Sequence, residues 1–310
     1  MGSTSKVRII AAHGFCIFFW ASAFPGIRVG LEAYAPAHLS LLRLLIGSAA
    51  LLLLAVLLRM RLPEAKDIPA ILLLGGLGFA VYHTALNFGE QTVSAGAASL
   101  FVSTTPIFAA LLALVFFRER FGLRGWAGGF ISLAGVACIS LGSEASWHWG
   151  NGALLILLAA FAESVYFVFQ KPYLEKYGVL AFTTYTVWAG TFCMLVFLPG
   201  LGTAVMQAPL HVTLSVVYLG IFPTVLAYLA LAFVTSQTGA SEATSSLYLT
   251  PFLAFLIAWI WLNETPTFFS LLGGAIILAG VGLSSMKSHP KERSYPSREL
   301  MRHIKNPTSH

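Results

Sequence analysis

The chain has 310 residues, of which 57% are hydrophobic and only 10% charged, with a formal net charge of +6. A soluble domain carries about 25% charged residues, so this composition excludes a water-facing globular surface and makes lipid the natural solvent. Mean hydropathy is +0.81, and little chain is left over for a soluble domain.

Crossing a bilayer takes roughly 20 mostly apolar residues, and such runs follow one another almost end to end. They predict ten transmembrane helices, over residues 8–30, 36–58, 67–88, 92–116, 122–142, 150–171, 179–199, 212–235, 239–261 and 267–286. Barrel strands would read as roughly ten-residue alternating segments, so the expected fold class is an all-α membrane protein. The first run is too long for a cleaved signal peptide. Cys16, Cys138 and Cys193 fall inside these runs without CxxC or ligand spacing. They read as small buried hydrophobes, and neither a metal nor any other cofactor is implied.

The basic charge reports topology. With the N-terminus in the cytoplasm, the inner segments hold 16 of the 18 Lys and Arg: Lys6 and Arg8, three from Arg59 to Lys66, three from Arg118 to Arg124, Lys171, Lys176, and six from Lys287 onward. Arg28 and Arg43 lie within or at the end of spans, and the outer loops hold Glu32, Glu90, Glu144 and Glu264. This is the positive-inside pattern, with both termini cytoplasmic, and it argues against a nucleic-acid partner. The polar tail, residues 287–310, reads as disordered.

Residues 95–140 repeat at 240–285. Sixteen of 46 positions are identical, including Pro106/Pro251, Glu119/Glu264, the pairs Gly128-Gly129 and Gly273-Gly274, and the run Leu133–Val136, which recurs at Leu278–Val281. The offset of 145 residues carries five spans, an odd number, so the second copy enters the membrane upside down. Inverted repeats are a transporter architecture with substrate held near the midplane. The expected organisation is a first five-helix repeat at 1–142 and a second, inverted repeat at 143–286. The glycine pairs suit close helix packing.

These features resemble the drug/metabolite transporter superfamily, in particular its ten-helix EamA-like exporters. Trp20 to Phe24 with Arg28 in the first helix and Arg43 in the second carry the likeness. So does the stretch in each half from a small-residue helix start through Pro106 or Pro251 to Glu119 or Glu264. The resemblance covers roughly residues 8–286 and is most pronounced with bacterial amino-acid exporters, especially those for aromatic amino acids. It implies an inner-membrane exporter, and export as the direction rests on the resemblance alone. One departure is Glu163, which falls about where Trp20 lies in the first half.

Polar side chains are costly in hydrocarbon and should face the bundle interior. Helical spacing aligns Phe79, His83, Asn87 and Glu90, with Tyr82 alongside; Ser99 with Ser103; Glu163, Tyr166 and Gln170; and Ser241, Ser245 and Tyr248. The expected cavity residues are Trp20, Phe24, Tyr82, His83, Asn87, Ser99, Glu163, Tyr166, Trp188 and Tyr248. Against this stand plainer readings: serines bonding their own helix backbone, His83 as an interhelical donor, the aromatics as bundle core. Arg43 reads as structural, tied to a carbonyl or carboxylate. Glu163, near mid-span, could hold a substrate ammonium, carry a proton, or pair with Arg43 or His83. Pro25, Pro106, Pro223 and Pro251 lie inside spans and predict kinks, which are hinge candidates.

An enzyme would need a nucleophile with its base or a metal cluster, and there is no HExxH, GxSxG or phosphate-cradling loop. A channel would want a repeated filter or a ring of like charge. A phosphate antiporter would need basic residues in the cavity, where only Arg43 and Arg28 are available and no lysine lies deep in a span. The expected activity is alternating-access export of a small molecule, an amino acid with an aromatic or apolar side chain being favoured, by a self-contained monomer. Drug-like cations or other metabolites are the alternative substrates.

Overall fold

The computed structural model describes residues 3–117, 123–141, 151–238 and 249–285. Among them every regular element is helical. Glu119, Ser241, Ser245, Tyr248 and the tail 287–310 lie outside the described residues.

Helix α1 spans Ser3–Gly30 and α2 spans Pro36–Leu57, which starts on a proline whose missing N–H no helical bond requires. Helix α3 runs over Ala65–Gly89 with a widened π turn at Gly76–Val81. The fourth apolar run is broken into α4, Ala95–Val102, capped by the Ser94 hydroxyl, and α5, Thr105–Phe117. Then come α6 (Leu123–Leu141), α7 (Asn151–Phe169), the short α8 (Lys171–Tyr177) and α9 (Val179–Met194). Last are α10 (Leu201–Gln207), α11 (Leu210–Gln237), with a second π turn at Phe222–Leu226, α12 (Thr250–Leu262) and α13 (Phe268–Ser285). Seven helical stretches among the described residues, one of them running from α4 into α5, are long and apolar enough to cross a membrane. Large apolar side chains face outward, such as Leu53, Val56 and Leu57 on α2 and Trp259 and Ile260 on α12, as a lipid-facing surface requires.

The closest packing joins early helices to late ones. Helix α1 packs on α11 and α12, α2 on α9 and α11, α3 on α7 and α9, α5 on α7, and α6 on α13. Glycines permit the closest approaches. A Cβ on Gly135 would stand 2.6 Å from the Gly273 carbonyl oxygen, and one on Gly280 would stand 2.5 Å from that of Gly128. The Ser132 hydroxyl donates to the Ile277 carbonyl between them at 3.3 Å. The paired glycines are therefore packing positions, as their sequence context indicates.

Three expectations change. Cys193 is exposed and Cys138 only partly covered, so burial holds for Cys16 alone. Glu90 is not a solvated loop carboxylate but is wholly buried at the end of α3. Pro106 does not kink a continuous helix: it is the second residue of α5, where the lost N–H has no helical carbonyl to serve. Pro251 is the second residue of α12 as described. Pro25 lies within α1, and Pro223 lies in the π turn of α11.

Candidate functional site

Helices α1, α2, α3, α4, α5, α7, α11 and α12 line one narrow cavity. Trp20, Phe24, Tyr82 and Tyr228 form its aromatic wall, and Ala23, Ile27, Leu86 and Val102 extend the apolar surface. Two ionisable side chains line the same space: Arg43 from α2 and Glu163 from α7, 2% and 3% exposed.

Glu163 is held by hydroxyls. Its Oε1 accepts from the Tyr228 hydroxyl at 3.2 Å, and Oε2 lies 3.5 Å from the Thr105 hydroxyl. Thr105 has one proton and donates it to the Val102 carbonyl at 2.7 Å, the shorter contact. Among the described residues Glu163 makes no ion pair with Arg43 or His83. Arg43 is tied neither to a carbonyl nor to a carboxylate: its Nε donates to the Thr224 hydroxyl at 2.6 Å.

The break between α4 and α5 supplies the polar floor. Ser99, Ser103 and Thr105 line the cavity, and each donates its proton three residues back, to the carbonyls of Gly96, Leu100 and Val102 at 2.5, 2.6 and 2.7 Å. The expected self-bonding of serines and their place on the cavity wall thus hold together, because the donated proton leaves lone pairs free to accept. Thr250 and Pro106 complete this side.

Trp20, Phe24, Tyr82, Ser99 and Glu163 therefore line one cavity. Four predicted residues do not line it. His83 is fully buried in a ring cluster with Phe79, Tyr82 and Tyr228. Asn87 is turned to α2 and donates to the Ser40 hydroxyl at 2.8 Å. Tyr166 packs on Gly78, whose missing side chain leaves room for the ring, and on Phe79 and Phe182. Trp188 donates to the Ser48 carbonyl at 3.3 Å across the α2–α9 contact. Helical period placed His83, Asn87 and Tyr166 on interior faces, but the interior of a bundle has more faces than one cavity can use. Tyr228, Thr105 and Thr250 were not predicted. Thr105 and Thr250 could have been found, since both copies of the repeat carry Thr-Pro at the same position.

The sequence matches the profile described as the EamA-like transporter family twice, over residues 10–141 and 150–286. The chain belongs to the EamA-like transporter family. It is a multi-pass membrane transporter whose relatives are transporters. It is 59% identical over 281 residues to "Uncharacterized transporter YdfC" of Bacillus subtilis, covering 91% of this chain and 92% of that protein. It is 39% identical to the "Probable terminal-alkyne amino-acid exporter" of Streptantibioticus cattleyicolor, covering 90% and 94%. A solved structure titled "Crystal structure of protein" aligns with a TM-score of 0.61 at 19% identity, over 89% of this chain and 96% of the other, which speaks to fold alone.

Proposed function

We propose that this transporter exports amino acids with aromatic or other apolar side chains across the inner membrane by alternating access. The observation that carries the reading is the joint presence of Arg43 and Glu163 in one aromatic-walled cavity. A zwitterion places a carboxylate and an ammonium on one carbon, and a buried guanidinium and a buried carboxylate complement both while leaving the side chain to the rings. In this reading Arg43 takes the carboxylate, and Glu163 with the lone pairs of Ser99 and Ser103 takes the ammonium. A relative named for exporting an amino acid supports both substrate class and direction.

The alternating halves are two inverted five-helix repeats, 1–142 and 143–286, giving ten spans. Several observations support this. The family profile matches twice. The contact of Gly135 with Gly273 maps onto that of Gly280 with Gly128 when 145 is added or subtracted. The π turns at Gly76–Val81 and Phe222–Leu226 fall at equivalent positions. The break before Pro106 provides the discontinuous helix found at midplane transporter sites. The charge distribution favours cytoplasmic termini, with the tail from residue 287 inside, and a relative in Escherichia coli is named an inner membrane transporter. The bundle is self-contained, which favours a monomer.

Uptake of labelled phenylalanine and leucine into proteoliposomes tests the proposal. Saturable, mutually competed uptake supports it. Uptake of organic cations with no response to amino acids would overturn it in favour of a cation exporter.

A further inference from the structure

Arg43 is held in an unusual way, and the reason lies in α11. Pro223 has no N–H, so the Leu219 carbonyl four residues earlier loses its helical donor. The Thr224 hydroxyl takes that donor's place and bonds the Leu219 carbonyl at 2.8 Å. A threonine hydroxyl has a single proton, so toward any other group Thr224 is an acceptor only. The Nε of Arg43 fills that role at 2.6 Å, with Thr224 fully buried. Neighbouring backbone is fixed as well: a Cβ on Gly220 would stand 2.8 Å from the carbonyl oxygen of Arg43, and one on Gly47 would stand 3.1 Å from that of Gly220. Among the described residues the Nε bond is the one hydrogen bond Arg43 makes.

We propose that Thr224 is the positioning residue of the substrate-carboxylate site: it holds Arg43 by Nε so that the two terminal nitrogens are presented to the cavity as a fork. This rests on the reading that Arg43 binds the carboxylate of an amino acid. The proline-deprived turn of α11 thereby does more than bend the helix. It fixes the direction of the hydroxyl proton and makes Thr224 an oriented acceptor for the guanidinium. A serine keeps that arrangement, whereas a valine of similar shape removes it.

The test uses the full-length transporter in proteoliposomes, with labelled phenylalanine as substrate and phenethylamine, which lacks the carboxylate, as competitor. Thr224→Val should raise KM for phenylalanine about tenfold, the loss expected when one hydrogen bond to a charged group is removed. The inhibition constant of phenethylamine should stay within about twofold of wild type, and Thr224→Ser should restore the phenylalanine KM. A role in holding α11 alone would weaken both ligands together, and that outcome overturns the proposal. So does a phenylalanine KM in Thr224→Ser as high as in Thr224→Val, or, if the valine variant does not fold, as high as in Thr224→Ala. Arg43→Gln separates the two layers. If it weakens phenylalanine selectively and Thr224→Val does not, the positioning role falls and the carboxylate reading stands. If Arg43→Gln leaves phenylalanine unaffected, both fall.

Discussion

The Nε of Arg28 lies 3.4 Å from Oε1 of Glu264, and the other oxygen of Glu264 accepts the Ala95 backbone N–H at 3.1 Å. One carboxylate thus joins the end of α1, the start of α4 and the turn after α12. Arg28 also donates to the Glu90 carbonyl at 2.5 Å. The pair is partly exposed, so its Coulomb contribution is screened and modest, about 0.2–1 kcal/mol. Because α1, α4 and α12 each contribute residues to the cavity, the tie is expected to act on conformational exchange. Arg28→Gln and Glu264→Gln should change the maximal transport rate by about two- to fivefold and leave KM nearly unchanged. Initial-rate measurements at several substrate concentrations check this, and an equal rise in KM would assign the pair to substrate binding.

Glu163 faces the cavity with Tyr228 as its hydroxyl donor. Replacing it by glutamine keeps the shape and removes the charge. Glu163→Gln should raise KM for phenylalanine about tenfold or more, as for loss of a charge-assisted hydrogen bond. It should leave inhibition by phenylpropionate, which has no ammonium, close to wild type. Competition assays on the two ligands read both effects.

The contact of α6 with α13 leaves no room for side chains at Gly135 and Gly280. Gly135→Leu and Gly280→Leu should therefore lower Tm in detergent, with overpacking of this kind costing about 1–3 kcal/mol. Gly282→Leu is the control, because nothing stands within 4 Å of a Cβ there. Thermal melts of the three variants should separate the first two from the third.

At the other end of the bundle Lys176 binds Glu64 at 2.9 Å and also bonds Asp67, which the Tyr177 hydroxyl reaches as well. Hydrogen bonds from Lys66 and Lys176 hold the Glu64 carboxyl below the ordinary carboxylate range. A depressed pKa contributes stability above the ordinary carboxylate pKa of about 4.3 and loses it as the pH falls through the depressed value. Lys176→Gln should lower Tm at pH 7, change it little in strong acid, and so flatten the acid limb of the Tm-versus-pH curve below about pH 5.

Much of this was legible in the sequence for reasons that can be named. Lipid demands continuous apolar runs, so the spans declare themselves. A 145-residue offset that aligns Pro106 with Pro251 and Gly128 with Gly273 reveals the repeat. Glu163 stood out because a mid-span carboxylate is costly. What stayed hidden is pairwise. Nothing local distinguishes Trp188, whose indole serves an α2 carbonyl, from Trp20, whose indole donates to the Pro223 carbonyl at 3.1 Å at the cavity's edge. Tyr228 sits in an apolar run that gave no stripe, and its role depends on Glu163, 65 residues away. Arg43 read as structural because a buried arginine usually needs a carbonyl or carboxylate. Its hydroxyl partner is supplied by a proline-disturbed turn in another helix, which no spacing rule anticipates.

The most direct test of the account is competition for labelled phenylalanine uptake in proteoliposomes by three ligands: leucine, phenethylamine and phenylpropionate. The cavity's paired charges predict that leucine competes well and that each ligand lacking one charged group is at least about tenfold weaker. Phenethylamine competing as strongly as leucine, or no saturable amino-acid uptake by folded protein, would contradict the assignment of Arg43 and Glu163 to a zwitterion.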